Sequence, residues 1–414
     1  MNSLLPEISA LKELTVDGYR LFLTRFVRLF AYGFLSVVLS LYLATIGFND
    51  KEIGLVLTLT LIGDAVISIW ITTKADNIGR RKMLMFGAAL MVFAGVAFAT
   101  SKNLYFLVIA AIIGTISPTG SEVGPFLSIE QAILPQTTSD KYRTQIFAWY
   151  NLVGSFASAI GSLFGGILVD SLGKLGYTPL NSYRSVVICY AILGLLLLVL
   201  FFKLSQATEA LATSSLSKNR FGLHRSKPVI VKLSALFMID SFAGGLVLQS
   251  LVAYWFFVKY GVQGTTLGAI FFGGNILAGL SALFAARLAK RFGLVNTMVF
   301  THIPSNILLM LVPIMPNLAL SIITLLARFS ISQMDVPTRQ SYIMAVVEPD
   351  ERSAAAGITS IVRTASSSFA PIITGLMLSH SLLSLPFFLA GGLKIIYDLA
   401  LYQSFQSIKP PEEI

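Results

Sequence analysis

The sequence is poor in charge and in cysteine. Of its 414 residues only 12% are charged and 55% are hydrophobic, whereas about a quarter of a typical soluble protein is charged. This composition excludes an ordinary soluble domain and indicates a membrane protein. Cys189 is the single cysteine, so a disulfide within the chain is excluded and we interpret Cys189 as a small core residue.

The sequence also lacks the sets of residues that enzyme catalysis, metal binding or nucleotide binding requires. It shows no cluster of histidines, cysteines and carboxylates with metal-ligand spacing, no phosphate-binding loop and no nucleophile–base set. We therefore expect no enzyme, no metal site and no cofactor. The net charge of +10 does not indicate nucleic-acid binding, because most basic residues lie in loops on one side, as in membrane proteins that follow the positive-inside rule.

What the chain does have is a series of apolar runs of about 20 residues, the length that crosses a bilayer as a helix. The twelve predicted spans are 19–46, 51–73, 83–100, 104–133, 144–169, 184–204, 229–258, 264–288, 294–314, 318–346, 353–378 and 384–406. The polar, basic segment 205–228 is the one long interruption. We predict a six-helix bundle in 1–204, a cytoplasmic linker in 205–228, and a second bundle in 229–414.

The distribution of Lys and Arg predicts the orientation. These residues are concentrated in the loops 74–82, 134–143, 203–232 and 287–291, so we place those loops and both termini in the cytoplasm. The acidic loop 347–352 does not support this placement. A compact chain of this kind is predicted to be an integral multi-pass protein of a bacterial inner membrane.

The two halves repeat one another. Gly79 and Gly293 are separated by 214 residues, the difference of their numbers. The further matches are Gly47 with Gly261, Gly54 with Gly268, Asn103 with Asn317, and, at an offset of 209, Arg143 with Arg352 and Gly166 with Gly375. Parallel six-helix repeats are typical of one class of secondary transporter.

The loop Thr72–Lys82 (TTKADNIGRRK) carries a resemblance to the major facilitator superfamily. That family has the pattern Gly-x-x-x-Asp-Arg/Lys-x-Gly-Arg-Arg/Lys, which here is filled by Asp76, Gly79, Arg80 and Arg81. The sequence departs from it at 72 and 77, where threonine and asparagine stand. The resemblance covers the whole chain and implies twelve transmembrane helices in two pseudo-symmetric six-helix bundles that work by alternating access.

Two further family patterns are incomplete. Helix 5 of antiporters carries Gly-Pro-x-x-Gly-Gly, and here the run is Ala157, Gly161, Ser162, Gly165 and Gly166, without the proline. Small residues at this spacing indicate either an exporter or ordinary close packing of helices. The arginine of drug exporters in helix 4 is absent: Gly114 stands near its place, and Arg328 stands at the repeat position.

Four acidic residues are candidates for proton coupling. They are Glu122, Asp335, Asp240 and Asp64, all within predicted spans, where a charge is expensive and usually functional. Glu122 lies among glycines and prolines in SPTGSEVGPF, and Asp335 lies in the repeat-related SISQMDVPTRQSY. Carboxyl groups in such irregular, buried segments can exchange protons in the working pH range.

The candidate substrate residues are basic and aromatic. They are Arg25, Arg28, Tyr32, Arg328, Tyr342 and Arg363; the resemblance implies that helices 1, 4, 7 and 10 line the cavity. Guanidinium groups fit carboxylates and phosphates. The alternative is that the arginines only neutralise Glu122, Asp240 and Asp64.

Other charges are predicted to pair or to act as a conformational latch. Asp335 with Arg339, and Lys394 with Asp398, are four residues apart on a helix and are expected to neutralise each other. The resemblance implies a latch formed by Asp76, Gly79, Arg80, Arg81 and Glu130, in which Glu130 lies beside Arg80. His302 is interpreted as a packing residue.

We conclude from the sequence that the protein is a monomeric, proton-coupled secondary transporter of a small organic solute. Its partners are then the solute, protons and the lipid bilayer, and export is favoured. The alternatives are a proton-coupled importer of a small organic anion and a transporter-like receptor. The receptor would need a large soluble output domain, and the sequence shows none.

Overall fold

A computed structural model describes residues 11–122, 124–139, 142–209, 225–348 and 351–406. Within these residues it contains seventeen α-helices and three short 3-10 helices. The α-helices are α1 Val16–Ser36, α2 Leu39–Thr45, α3 Asp50–Ile78, α4 Arg80–Thr100, α5 Leu104–Ile113, α6 Phe126–Ile133, α7 Arg143–Lys174, α8 Pro179–Phe202, α9 Lys227–Gly245, α10 Gln249–Tyr260, α11 Thr265–Phe292, α12 Leu294–Leu311, α13 Leu318–Phe329, α14 Asp335–Val346, α15 Arg352–Ser368, α16 Ala370–Ser379 and α17 Leu385–Phe405.

Most of the predicted spans are long apolar helices. In the described part of the chain nine helices are long and apolar enough to cross a membrane, and α1 with α2 forms a tenth span bent by 43°. The two remaining predictions, 104–133 and 318–346, are wrong as uninterrupted helices. Each begins as a short apolar helix, α5 or α13, and is then broken.

The break in 104–133 has a clear local cause. Pro118 and Pro125 lack the amide hydrogen that a helix needs, and Gly120 and Gly124 have positive φ angles of 67° and 84°. Such φ angles are costly for any residue except glycine. The chain therefore leaves the helix after α5 and resumes it only at α6.

The described residues fall into two compact units. The first comprises the described parts of 1–48, 59–215 and 262–272, and the second those of 49–58, 216–261 and 273–414. In the first unit α1 packs against α7 and α4 packs against α8. In the second unit α9 packs against α15 and α12 packs against α17.

Positions that match in the sequence repeat have the same local geometry. Asn103 and Asn317 are the N-caps of α5 and α13, and their side chains accept hydrogen bonds from backbone amides at 3.2 Å and 2.9 Å. Gly79 and Gly293 precede α4 and α12 with φ angles of +118° and +86°. The repeat thus preserves the residues at which helices start. Asparagine at an N-cap and glycine at a positive φ angle are each favoured there by local physical chemistry.

Glycine allows α1 and α7 to touch along their backbones. A Cβ atom at Gly33 of α1 would collide with the backbone oxygen of Ser158, and one at Gly161 of α7 would collide with the backbone of Phe30 and Phe34. Gly161 belongs to the small-residue run whose sequence indicates either an exporter motif or ordinary close packing of helices. The structure shows that it packs; it does not test the exporter interpretation.

Candidate functional site

The break between α5 and α6 places Glu122 in the first unit. The backbone of this broken segment is held by side chains of neighbouring helices. The Tyr190 hydroxyl donates to the Thr115 carbonyl at 2.6 Å, and Ser158 Oγ donates to the Gly120 carbonyl at 2.5 Å. These bonds satisfy backbone groups that the broken helix leaves unpaired, as a membrane interior requires. Glu122 is therefore presented from an ordered non-helical segment.

Glu122 belongs to a cluster of four charged side chains. Arg25 and Arg28, one turn apart on α1, both contact it: Arg25 Nη1 lies 2.5 Å from Glu122 Oε2, and Arg28 Nε lies 2.8 Å from Oε1. Arg28 also binds Glu130 of α6, through Nη1 to Oε1 at 2.8 Å and Nη2 to Oε2 at 2.5 Å. Two guanidinium groups and two carboxylates make the cluster neutral when all are ionised.

The cluster is completed by hydroxyl and aromatic groups. The hydroxyls of Tyr150 and Thr24 both donate to the Glu130 carboxylate, that of Thr24 at 3.0 Å. The Arg25 guanidinium carbon lies 4.6 Å from the centre of the Tyr150 ring. Arg28 and Glu130 have side chains that are 0% exposed. A buried ion pair is tolerated only with such complete hydrogen bonding.

This geometry corrects the predicted partner of Glu130. Glu130 of α6 binds Arg28 of α1, whereas Arg80 binds Asp76 in the described residues. Arg25 and Arg28 were predicted to bind substrate or to neutralise carboxylates. Their contacts with Glu122 and Glu130 favour the second alternative.

Asp64 of α3 is a carboxyl group that is held by a backbone hydrogen bond. Its Oδ2 atom accepts the Gly124 amide hydrogen at 3.0 Å, and the residue is 8% exposed. Asp64 forms no ion pair within the part of the chain that the structure describes. Tyr32, a predicted substrate residue, is fully buried nearby and stacks on Tyr190 with the ring centres 6.5 Å apart.

The second unit has its own charge cluster, centred on Asp240 of α9. Lys394 Nζ of α17 lies 2.5 Å from Asp240 Oδ1, and Arg339 Nη1 of α14 lies 3.4 Å from Oδ2. Arg339 also binds Asp335 at 2.7 Å, which confirms the predicted pair. Arg363 of α15 approaches Asp240 at 4.0 Å and donates from Nε to Ser241 Oγ at 3.0 Å.

The predicted pair of Lys394 with Asp398 is wrong. Lys394 reaches Asp240 instead. Asp398 is bound by His302 Nδ1 at 2.8 Å and by Asn306 Nδ2 at 3.0 Å, both from α12. The two side chains diverge because α17 packs between α9 and α12 and offers one residue to each. His302 is thus a hydrogen-bonding partner as well as a packing residue.

Arg328 and Tyr342, two predicted substrate residues, have different surroundings. Arg328 lies in the last turn of α13 and its Nε atom is buried without a hydrogen bond partner in the described structure. Tyr342 is 0% exposed in the apolar core of the second unit, with its ring 5.9 Å from that of Phe405. Because Tyr342 lies on the side of α14 that faces this core, a direct contact between Tyr342 and a substrate is not supported.

The junction of α3 and α4 holds the predicted latch residues, with Asp76 in the last turn of α3, Gly79 between the helices, and Arg80 and Arg81 in the first turn of α4. Arg80 Nε lies 2.7 Å from Asp76 Oδ1. The Glu209 carboxylate accepts the amide hydrogens of Arg80 at 2.6 Å and Arg81 at 3.4 Å. Glu209 therefore caps α4, where Gly79 contributes no side chain and the helix dipole favours a negative charge.

Comparison with known proteins decides the family. The family model described as Major Facilitator Superfamily matches residues 21–371. The chain belongs to the major facilitator superfamily. A relative, the membrane protein YJR124C of Saccharomyces cerevisiae, is 32% identical and the match covers 92% of each chain.

More distant members share the whole length. The quinolone resistance protein NorA of Staphylococcus aureus is 20% identical over 91% of this chain and 93% of its own. The crystal structure of a D-xylose-proton symporter superposes with a TM-score of 0.72 at 17% identity, over 96% of this chain and 98% of that one. At this identity the superposition shows the fold alone.

Membership of the superfamily confirms the predicted fold class and the multi-pass membrane protein. The protein is a secondary transporter and not an enzyme. Relatives in yeast and in bacteria leave the predicted bacterial membrane and cytoplasmic termini as predictions.

Several contacts within the two charge clusters could not be predicted from the sequence. Tyr150 and Thr24 carry no signal beyond lying in spans, and Lys394 with Asp240 are 154 residues apart. Arg28 with Glu130 are 102 apart. Such pairs form only when helices pack, whereas Asp335 and Arg339 were predictable because four residues separate them on one helix.

Proposed function

We propose that this superfamily member is a proton-coupled transporter that exports a small organic solute, and that Asp64 carries the proton. The observation behind the proposal is that Asp64 is buried and has no cation partner among the residues that the structure describes. Of the four carboxyl groups predicted for proton coupling, Glu122, Asp240 and Asp335 each contact at least one arginine or lysine.

Pairing separates these carboxyl groups by their chemistry. A carboxylate bound to buried cations is best left ionised, because removing its charge exposes the cations to an apolar surrounding. A buried carboxylate with only a hydrogen bond has no such compensation, and a proton removes the charge that is costly to bury. Within the described part of the chain, the titratable groups that interact electrostatically with Asp64 are Glu122, Tyr32 and Tyr190, and none of them is a cation.

The position of Asp64 also provides a route for coupling. Its carboxylate accepts the amide hydrogen of Gly124, two residues after Glu122. A protonated carboxyl is a weaker acceptor than a carboxylate. Protonation therefore loosens the broken segment that presents Glu122 to Arg25 and Arg28.

Export is favoured by the similarity to NorA, a quinolone resistance protein. Import of an organic anion is the second candidate. Asp240 is already contacted by Lys394 and Arg339, and Arg363 is a further, partly exposed cation.

We propose that the protein acts as a monomer. We also propose that Asp76, Gly79, Arg80 and Arg81, at the junction of α3 and α4, form the latch with Glu209 in place of Glu130.

Proteoliposomes with an imposed pH gradient test the proposal. We expect the wild type to concentrate at least one solute from a mixed panel of metabolites and drugs, and Asp64→Asn to abolish concentration while keeping solute exchange within about twofold. Glu13→Gln is the matched control, since it removes an exposed carboxylate. Solute movement against the proton flux indicates export, and movement with it indicates import.

Two outcomes would count against proton coupling through Asp64. In one, Asp64→Asn still concentrates the solute in response to the pH gradient. In the other, no solute in the panel responds to either direction of the gradient, which counts against proton coupling itself.

A further inference from the structure

We propose that the solute is an organic monocarboxylate and that Arg363 of α15 binds its carboxylate. This inference deepens the proposed function and rests on its claim that the protein moves a small organic solute. It is carried by the charges, exposure and hydrogen bonds of the second unit.

The charge cluster centred on Asp240 in the second unit does not balance. Its cations are Arg339, Arg363 and Lys394, and its carboxylates are Asp240 and Asp335. One positive charge is therefore left over within this cluster. The cluster of Arg25, Arg28, Glu122 and Glu130 in the first unit, by contrast, is neutral when all four side chains are ionised.

Contacts identify Arg363 as a cation that is available. Asp240 is already contacted by Lys394 at 2.5 Å and by Arg339 at 3.4 Å, and Arg363 is the most distant of the three at 4.0 Å. Its Nε is anchored on Ser241 Oγ. This leaves the two terminal nitrogens of a fixed guanidinium, the fork that binds a carboxylate through two parallel hydrogen bonds.

The surface around Arg363 is open and polar. Its side chain is 34% exposed, compared with 3% for Arg339. On the same helix Ser360 and Thr364 are exposed, and a Cβ atom at Gly357 would meet nothing within 4 Å. A guanidinium exposed within a spanning helix faces a wet space and not lipid, because a charged group is costly to place in hydrocarbon.

The charge balance selects the ligand. A single carboxylate neutralises the one excess cation, whereas a phosphate dianion would leave an uncompensated negative charge. The hydroxyls of Ser360 and Thr364 supply donors for the rest of the polar group. An uncharged solute would leave the charge cluster centred on Asp240 with its excess positive charge.

Thermal unfolding of the purified protein in detergent tests the binding directly. The probes are benzoate, nicotinate and octanoate, each paired with its uncharged amide of nearly the same shape. We expect at least one acid to raise the unfolding temperature saturably while its amide does not. Arg363→Gln should weaken that acid about 10- to 100-fold, as expected for loss of a charge-assisted, two-bonded contact, and Arg363→Lys should have a smaller effect.

Arg352→Gln is the matched control, since it removes an exposed arginine at the start of the same helix, and should bind like the wild type. The inference is overturned if no acid binds, if acids and amides bind equally, or if Arg363→Gln binds the acid like the wild type. Phenyl phosphate binding more tightly than every acid would also overturn it. Asp64→Asn should bind the acid normally, so failure of proton coupling and failure of carboxylate binding appear in different assays.

Discussion

Replacing Arg28 with methionine should destabilise the protein by about 3–5 kcal/mol, the cost of breaking a buried ion pair from one side. Arg28 is fully buried and binds both Glu122 and Glu130. Without it Glu130 is left as a buried carboxylate with only the hydroxyls of Tyr150 and Thr24. The midpoint of thermal unfolding in detergent, converted to a free energy with a denaturant series, measures the loss.

A double mutant separates charge from packing. Glu130→Gln alone should also destabilise, since it leaves Arg28 in excess, while Arg28→Met with Glu130→Gln restores neutrality and keeps an oxygen for Tyr150 and Thr24. We expect the double mutant to lose less than the two single mutants together, by about 0.5–3 kcal/mol. Arg20→Gln, in a pair that is 34% exposed on its Arg20 side, should cost at most about 1 kcal/mol. Strict additivity of the two core mutations would contradict the ion-pair account.

Replacing Gly161 with alanine should destabilise the contact between α1 and α7 by about 1–3 kcal/mol, the range for overpacking a tight core. The added Cβ atom would lie 2.9 Å from the backbone nitrogen of Phe34 and closer still to the Phe30 carbonyl oxygen. Backbone atoms of a helix cannot rotate away as a side chain would. The unfolding midpoint and the yield of monodisperse protein in detergent measure the effect.

Gly173→Ala is the control for this change. Gly173 lies on the same helix α7, and a Cβ atom there would meet nothing within 4 Å. Alanine should leave stability unchanged or raise it by up to about 1 kcal/mol, because it lowers the entropy of the unfolded chain. Equal effects at 161 and 173 would show that helix propensity, and not the close approach of α1, determines the outcome.

The broken helices mark the limit of prediction along the chain. The apolar runs predicted twelve spans, and ten of them meet the length and composition of a span when α1 and α2 are counted together. The prolines and glycines near Glu122 predicted irregularity but not its extent, because a break of this length survives only when hydroxyls such as those of Tyr190 and Ser158 satisfy its backbone. Those hydroxyls come from helices that are distant in sequence.

The sequence by itself determined what depends on composition and on near neighbours. A membrane protein of two related halves, helix starts such as Asn103 and Asn317, and the pair of Asp335 with Arg339 all follow from hydropathy, repetition or a four-residue spacing. Only the tertiary structure decided which carboxylates are neutralised. Arg28 meets Glu130 and Lys394 meets Asp240 because helices far apart in the chain pack together, and Asp64 remains without a cation in the described structure because no such helix brings one to it.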